Sequence, residues 1–153
     1  MALRIEDLGL LDYVAEAAQM LLNAHPNVQF TSGRRTVKGQ ADAMAANSVH
    51  RRKWIAQTYV PTAERDALQR WIDNNPQAVN QAAISAGLES IMNGWTDEQK
   101  MLISRHFSGQ AFDVQPVANG EAIKATIRSL PNLRKFLESE GGLLRWHADF
   151  EKT

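Results

Sequence analysis

Apolar residues recur at helical spacing in the first part of the chain and predict a helix from Ile5 to Leu22. The segment Asn23–Asn27, which contains a proline, ends this pattern. Val28–Thr31 then alternates apolar and polar residues before Ser32-Gly33, and this indicates a short strand that ends in a turn. From Gln40 to Met44 the composition again favours a helix.

The middle of the chain, from about Trp54 to Ile103, is rich in Ala, Gln, Asn and Leu and is interrupted by Pro61, Pro76 and Gly94. Three short helices are therefore predicted there. Thr62 is a candidate N-cap for one of them, because a threonine hydroxyl can accept a hydrogen bond from a free backbone N–H and acidic residues follow in the first turn.

The last third of the chain alternates short apolar segments with helical patterns. It predicts a strand at Ala111–Val114, a helix from Glu121 to Leu130, another helix from Leu133 to Glu138 and a final strand at Leu143–Phe150. Taken with the preceding elements, this order predicts an α+β fold: one helix-rich domain over residues 1–153 with a small antiparallel sheet.

Charge and composition are those of an ordinary globular protein, with 17 basic and 17 acidic residues and 44% hydrophobic residues. The balanced charge provides no strong field for nucleic acid or an anionic membrane, so neither is expected as a partner. We also expect a monomer. No apolar stretch approaches the ~20 residues of a membrane span, and acidic residues occur before any apolar run. A cytoplasmic protein without a signal peptide is therefore expected.

The absence of cysteine restricts the chemistry that is available. It excludes disulfides, thiolate metal sites and a cysteine nucleophile, so a transition metal would need histidine and carboxylate ligands. His25 and His50 are not expected to be ligands, since the first precedes a proline in a loop and the second lies in the basic run Val49–Lys53, where a solvated helical face is the expected role. One short basic run without an aromatic platform is weak evidence for nucleic-acid binding.

The segment Ser104–Asp113 is the most informative part of the sequence. His106 falls in a turn-like stretch and Asp113 in the strand that follows, so a bend at Gly109 can bring the imidazole and the carboxylate together. If the final strand pairs beside the strand of Asp113, His147 becomes a third ligand. Two imidazoles and one carboxylate leave the fourth tetrahedral position to water, which is the arrangement of a catalytic zinc.

The same segment resembles the Ser-x-His-x-x-Gly-x-Ala-x-Asp signature of the zinc D-alanyl-D-alanine carboxypeptidase family, which includes the VanX and VanY peptidases and several phage endolysins. All five fixed positions match. Upstream, Ser32-Gly33-Arg34-Arg35 resembles the Ser-Gly-Tyr-Arg element of the family, and Trp146-His147 resembles its Trp-His element. The resemblance extends from about residue 28 to residue 150 and implies a Hedgehog/DD-peptidase-like fold.

By this resemblance His106, Asp113 and His147 hold Zn²⁺, and Arg35 contacts the scissile carbonyl or a substrate carboxylate. Ser104 would bind substrate or orient the metal shell, although a role in capping the turn is an equal alternative. The implied activity is that of a zinc metallopeptidase that hydrolyses peptide bonds of bacterial peptidoglycan. A phage endolysin held in the host cytoplasm until its release onto the cell wall fits the missing signal peptide.

The chain departs from the family pattern at the position of the general base. Many members carry an acid three residues before the final histidine, and here that residue is Leu144. Three explanations stay open: another carboxylate acts, the metal alone activates water, or the site binds without cutting. Glu140 is our first choice of base. Asp149 is the second, because in a strand it projects to the same face as His147 and could instead be a hydrogen-bonding partner of that ligand.

Four other functions are compatible with the sequence to different degrees. A non-catalytic zinc-holding module of the same fold, comparable to the Hedgehog signalling domain, would explain the missing acid. A cytoplasmic D-alanyl-D-alanine dipeptidase or a tail-associated wall hydrolase would share the motif. A muramidase needs two carboxylates at a defined separation, and no pattern in the sequence selects two. The sequence does not indicate which peptide bond is cut.

Overall fold

A computed structural model describes residues 3–140 and 142–152 of the chain. In these residues it contains α-helices and one four-stranded antiparallel sheet with the strand order β1-β2-β4-β3, which confirms the predicted α+β class. The elements, in chain order, are a 3-10 helix Ile5–Asp7, α1 Asp12–Ala24, β1 Phe30–Ser32, α2 Val37–Ser48, α3 Trp54–Thr58, α4 Ala63–Asn74, α5 Gln81–Met92, α6 Asp97–Ile103, a 3-10 helix Arg105–Ser108, β2 Ala111–Val114, α7 Glu121–Arg128, β3 Leu133–Glu140 and β4 Leu143–Phe150.

The chain forms two compact units. Unit 1 comprises Met1–Arg34 and Ser108–Thr153, and unit 2 comprises Arg35–Phe107. Unit 1 contains the whole sheet with α1 and α7, whereas unit 2 is entirely helical apart from its turns. The prediction of one domain over residues 1–153 stays a prediction. Across residues 3–140 and 142–152, no helix combines the length and the apolar composition that crossing a membrane requires.

The sheet of unit 1 has one apolar face and one polar face. Phe112 of β2 and Trp146, Ala148 and Phe150 of β4 are buried in one cluster with the apolar residues of α1. Because successive side chains of a strand alternate between faces, the residues between them point to the opposite side. That opposite side carries the acids and the imidazole on which the chemistry depends.

The predicted helix from Ile5 to Leu22 is wrong in its first half. The structure has a 3-10 turn at Ile5–Asp7, and α1 begins only at Asp12. Gly9 adopts a φ of +64°, which an α-helix does not contain. The backbone N–H of Leu11 donates to the carbonyl of Gly109 at 3.1 Å. The segment before α1 is therefore bonded to Gly109 and does not form the first turns of the predicted helix.

The predicted helix from Leu133 to Glu138 is also wrong, because this segment is strand β3. Its apolar residues Leu133, Phe136 and Leu137 are spaced three and four residues apart, which is typical of a helix. In the structure the register against β4 shifts between Leu133 and Lys135 and again between Leu137 and Ser139. Such irregularities break the strict alternation of a strand, so the sequence of β3 does not show the period of two.

The other predicted elements of unit 1 agree with the structure within two residues at each end. The strands at Ala111–Val114 and Leu143–Phe150 are confirmed with their predicted bounds. The first strand covers Phe30–Ser32 in place of Val28–Thr31, and α7 ends at Arg128.

Unit 2 contains one helix more than predicted between Trp54 and Ile103. The five-residue helix α3 is too short to show a clear period, and together with α4, α5 and α6 it replaces the three predicted helices. Thr62 is confirmed as an N-cap, since its hydroxyl accepts a hydrogen bond from the backbone N–H of Arg65 at 3.0 Å. The apolar residues of α2, α4 and α5 form a second core cluster.

Candidate metal centre

Two of the three predicted metal ligands lie on neighbouring strands of unit 1. Asp113 of β2 is directly opposite His147 of β4 in the antiparallel register, as expected if these strands pair. The His147 Nδ1 atom lies 3.0 Å from the Asp113 carboxylate, and both side chains are buried. Side chains opposite each other in a sheet share a face, so the pairing of β2 with β4 suffices to bring these two groups together.

His106 lies in the 3-10 helix Arg105–Ser108 and is 2% exposed. Two hydrogen bonds fix its backbone. Its N–H donates to the hydroxyl of Ser104 at 3.2 Å, and its carbonyl accepts from the N–H of Arg35 at 3.0 Å. The hydroxyl of Ser104 therefore caps the turn that carries His106, while its predicted contact with substrate stays a prediction.

The three predicted ligands form one buried group. His106, Asp113 and His147 each offer a ligand atom, and these atoms lie within 4.8 Å of one another. In a tetrahedral zinc site with bonds of ~2.0–2.1 Å, ligand atoms are roughly 3.3 Å apart, so adjustments of about 1.5 Å or less are sufficient. Buried groups of two imidazoles and a carboxylate fit a transition metal, and the group could hold such an ion.

The glycine and the alanine of the ten-residue motif have structural explanations. Gly109 has a φ of +76°, and a Cβ atom there would lie 2.7 Å from the carbonyl oxygen of Gly9 and 2.8 Å from the Arg34 Nη2 atom. Only glycine fits this turn without strain. Ala111 is fully buried and pairs with Asp149 in the register, so its small side chain leaves room on the polar face of the sheet.

The imidazole of His147 lies between two carboxylates. Its Nδ1 atom faces Asp113, and its Nε2 atom lies 3.1 Å from Asp149. Burial by itself lowers the pKa of His147, but the hydrogen bonds to these two acids and the charges of Asp113 and Glu140 outweigh it and raise the pKa to about 9. Without a metal the imidazole is therefore protonated at neutral pH, and a metal held by His147 would have to displace a proton.

Asp149 has a second partner that sequence reasoning missed. The Arg134 Nε atom donates to Asp149 Oδ1 at 2.7 Å, and Arg134 Nη2 donates to Oδ2 at 3.1 Å. Burial opposes ionisation of Asp149, but the hydrogen bonds from His147 and Arg134 outweigh burial and hold its pKa below the ordinary value. The contact of Arg134 with Asp149 could not be predicted from the sequence, because the segment of Arg134 was predicted as a helix.

Arg35 of unit 2 is held by a buried amide. Its Nη1 atom donates to Gln40 Oε1 at 3.2 Å, and Gln40 Nε2 donates to the Tyr59 hydroxyl at 3.1 Å. Gln40 has no exposed surface, and it lies in the first turn of α2, five residues after Arg35. A buried amide needs hydrogen-bond partners, but the burial of Gln40 is not visible in the sequence, so this support of Arg35 was missed.

The acids considered as bases differ in their surroundings. Glu138 accepts hydrogen bonds from Lys124, at 2.7 Å, and from Arg128, and both are residues of α7. Glu140, the last residue of β3, is partly buried, and its charge contributes to the raised pKa of His147. Leu144, at the position where the family acid was expected, is 72% exposed.

The remaining histidines lie apart from the ligand group. The Nε2 atom of His25 is 2.8 Å from the Thr126 hydroxyl. His50 is exposed, but it lies in the turn after α2 and not on a helical face. In the basic run around it, Arg52 donates hydrogen bonds to the carbonyl oxygens of Ile72, at 2.7 Å, and of Asn75, at 3.1 Å. At least this arginine therefore has a structural role.

No protein-family model, curated protein or solved structure matches this chain. The resemblance to the zinc D-alanyl-D-alanine carboxypeptidase family stays a prediction from the motif. Functional arguments therefore depend on the residues of the site and on their geometry.

Proposed function

We propose that this protein is a zinc metallopeptidase that hydrolyses peptide bonds of bacterial peptidoglycan. The observation that carries the proposal is the buried group of His106, Asp113 and His147, whose ligand atoms lie within 4.8 Å of one another. Three protein ligands leave a coordination position open, as in catalytic zinc sites, whereas structural sites use four. The ten-residue motif that contains two of these ligands supports the same activity and the substrate class.

The ligand types favour zinc among the possible ions. Imidazole nitrogen with one carboxylate oxygen suits zinc better than Ca²⁺ or Mg²⁺, which prefer sites made of oxygen alone. When bound, Zn²⁺ would supply Lewis-acid activation of a water nucleophile and of the scissile carbonyl. An amide can then be cleaved without a nucleophilic side chain, which agrees with a chain that contains no cysteine.

Arg35 is proposed to bind the oxyanion of the tetrahedral intermediate or an anionic peptide end. Its backbone is hydrogen-bonded to the carbonyl of the ligand His106, and its guanidinium is held by the buried Gln40. A guanidinium fixed in this way stabilises developing negative charge without reorganisation. The hydroxyl of Ser104 accepts from His106 N, and because a hydroxyl can also donate, we propose that its O–H donates to the substrate.

Glu140 is proposed as the general base. It is one of the groups whose charge raises the pKa of His147, whereas Glu138 has two cationic partners in α7. Asp149 is less suited to this task, because hydrogen bonds from His147 and Arg134 occupy its two oxygens. A base that takes a proton needs a free lone pair directed toward the water.

The biological role that we propose is lysis of the host cell wall by a phage endolysin. The protein would accumulate in the host cytoplasm as a monomer and act on stem peptides or cross-links once the membrane is opened. Neither nucleic acid nor membrane is a proposed partner, and this agrees with equal numbers of acidic and basic residues.

Release of amino groups from purified peptidoglycan tests the activity. The zinc-loaded protein should generate new amino groups, a chelator should abolish the release, and added zinc should restore it. Mass spectrometry of the released fragments then identifies the bond that is cut. Release of reducing sugar in place of amines would favour a muramidase, and absence of any product from zinc-loaded protein would contradict the peptidase proposal.

A zinc-holding binding module is the second candidate, and the exposed Leu144 favours it. A leucine cannot accept a proton, and its 72% exposure means that an acid could be accommodated at this position without repacking. Zinc binding without amine release, together with release by Leu144→Glu, would establish the binding module. A cytoplasmic dipeptidase would instead cleave free D-alanyl-D-alanine and leave polymeric peptidoglycan intact.

A further inference from the structure

Asp149 and Arg134 lie behind the proposed ligand His147, on the side away from Asp113. We propose that Asp149, clamped by Arg134, is a positioning residue that fixes the His147 imidazole with Nδ1 directed to the metal. The inference rests on the proposed metal centre, and it assigns roles to two residues that contribute no ligand atom. All three side chains belong to strands β3 and β4 of unit 1.

The geometry of the clamp is well defined. Asp149 Oδ1 accepts from Arg134 Nε at 2.7 Å, and Oδ2 accepts from both Arg134 Nη2 and His147 Nε2 at 3.1 Å each. The side chain of Asp149 is 4% exposed, whereas that of Arg134 is 40% exposed and reaches it from the neighbouring strand. A guanidinium that holds both carboxylate oxygens fixes the plane of that carboxylate.

The clamp determines which nitrogen of His147 is available. An imidazole nitrogen can ligate a metal only without its proton, and a hydrogen bond at the other nitrogen selects the tautomer. Nε2 faces Asp149, which contributes no ligand atom and whose two oxygens are held by Arg134, so a proton on Nε2 has an acceptor fixed in place. The lone pair of the neutral imidazole is then on Nδ1, which lies 3.0 Å from the second proposed ligand, Asp113, and a metal held by both residues would replace the proton between them.

The sign of the effect of Arg134 separates positioning from simple electrostatics. A positive charge close to a cation site repels the cation. If Arg134 acted through its charge alone, its loss should strengthen zinc binding. If Arg134 acts by holding Asp149, its loss should weaken zinc binding. Lys135 provides the matched control, since it is exposed, neighbours Arg134 on β3 and pairs with Asp149 in the register.

Calorimetric titration of the metal-free protein with Zn²⁺ measures these effects without reference to catalysis. Asp149→Asn should weaken zinc binding about 10- to 100-fold, the usual loss when the partner of a ligating histidine is removed. Arg134→Gln should weaken it several-fold, and Lys135→Gln should leave it unchanged or slightly stronger. The double variant should bind within about twofold of Asp149→Asn, because Arg134 acts only through Asp149.

A spectroscopic measurement gives an independent result. In the zinc-loaded wild type, ¹⁵N spectra of the His147 ring should show a protonated Nε2 with a strongly hydrogen-bonded proton, and this signal should weaken in Asp149→Asn. Far-UV circular dichroism establishes that each variant is folded. If Asp149→Asn is unfolded, the zinc affinity of Arg134→Gln, a substitution at a partly exposed position, still tests the inference.

Zinc affinity of Asp149→Asn within about twofold of wild type, or tighter zinc binding by Arg134→Gln, would overturn the inference. These outcomes differ from failure of the proposed function. A wild-type protein that binds no zinc contradicts the metal centre itself, whereas one that binds zinc without amine release contradicts only the peptidase activity and leaves the positioning roles testable.

Discussion

Replacement of Gly109 by alanine tests whether the motif glycine has a structural role. Gly109 has a φ of +76°, and an alanine in this left-handed region costs ~1–2 kcal/mol. Its Cβ atom would also lie 2.7 Å from the carbonyl oxygen of Gly9 and 2.8 Å from Arg34 Nη2. Both contacts are closer than van der Waals distance, and overpacking of this kind costs about 1–3 kcal/mol.

These two effects add to roughly 2–5 kcal/mol of lost stability. The reduced entropy of the unfolded chain offsets about 0.4–1 kcal/mol of this loss. The Gly109→Ala variant should therefore unfold with a free energy about 1–5 kcal/mol below that of the wild type. Urea denaturation of the metal-free protein, followed by circular dichroism, measures the difference.

Gly94 is a matched control for this substitution. A Cβ atom there would have the carbonyl oxygen of Ile91 as its neighbour at 3.6 Å, an ordinary contact, and Gly94 is not among the residues with positive φ. Gly94→Ala should unfold with a free energy equal to that of the wild type or up to about 1 kcal/mol higher. If Gly109→Ala were as stable as Gly94→Ala, the structural explanation of the motif glycine would be refuted.

Two further predictions concern acids of the two units. Glu140→Gln should reduce amine release by about 100-fold or more with zinc content unchanged, because general bases contribute at least this factor. Glu138→Gln is the control. Equal losses of amine release in both variants would contradict the assignment of Glu140 as the base. Hydrogen bonds from Ser85 and Lys38 hold the pKa of Asp42 below 3.8. Asp42 should therefore stabilise unit 2 by at most about 1 kcal/mol above that pH, and this contribution should disappear as the pH falls through its folded pKa. Urea denaturation of wild type and Asp42→Asn at neutral and at strongly acidic pH should differ at neutral pH alone.

From the sequence it was possible to predict the α+β class and to place two of the three proposed ligands, Asp113 and His147, in their correct strands. Strands β2 and β4 are short, apolar and alternating, and their pairing places Asp113 opposite His147. The spacing from His106 to Gly109 includes a turn that only glycine fits, and this turn is visible in the sequence as a local signal.

The errors arose where contacts between distant segments override local pattern. Strand β3 was predicted as a helix, because shifts in its register with β4 space its apolar residues like those of a helix. The clamp of Asp149 was consequently missed, since Arg134 reaches it only if its segment is a strand next to β4. In unit 2, the support of Arg35 by Gln40 depends on a contact that no periodicity encodes.

Titration of the metal-free protein with Zn²⁺ tests the proposed metal centre most directly. We predict one ion bound per chain, with binding abolished by His106→Ala, Asp113→Ala or His147→Ala and retained by His50→Ala, which removes an exposed histidine outside the ligand group. Absence of zinc binding by the wild type, or zinc binding that persists in all three ligand variants, would contradict the metal centre and the function proposed from it.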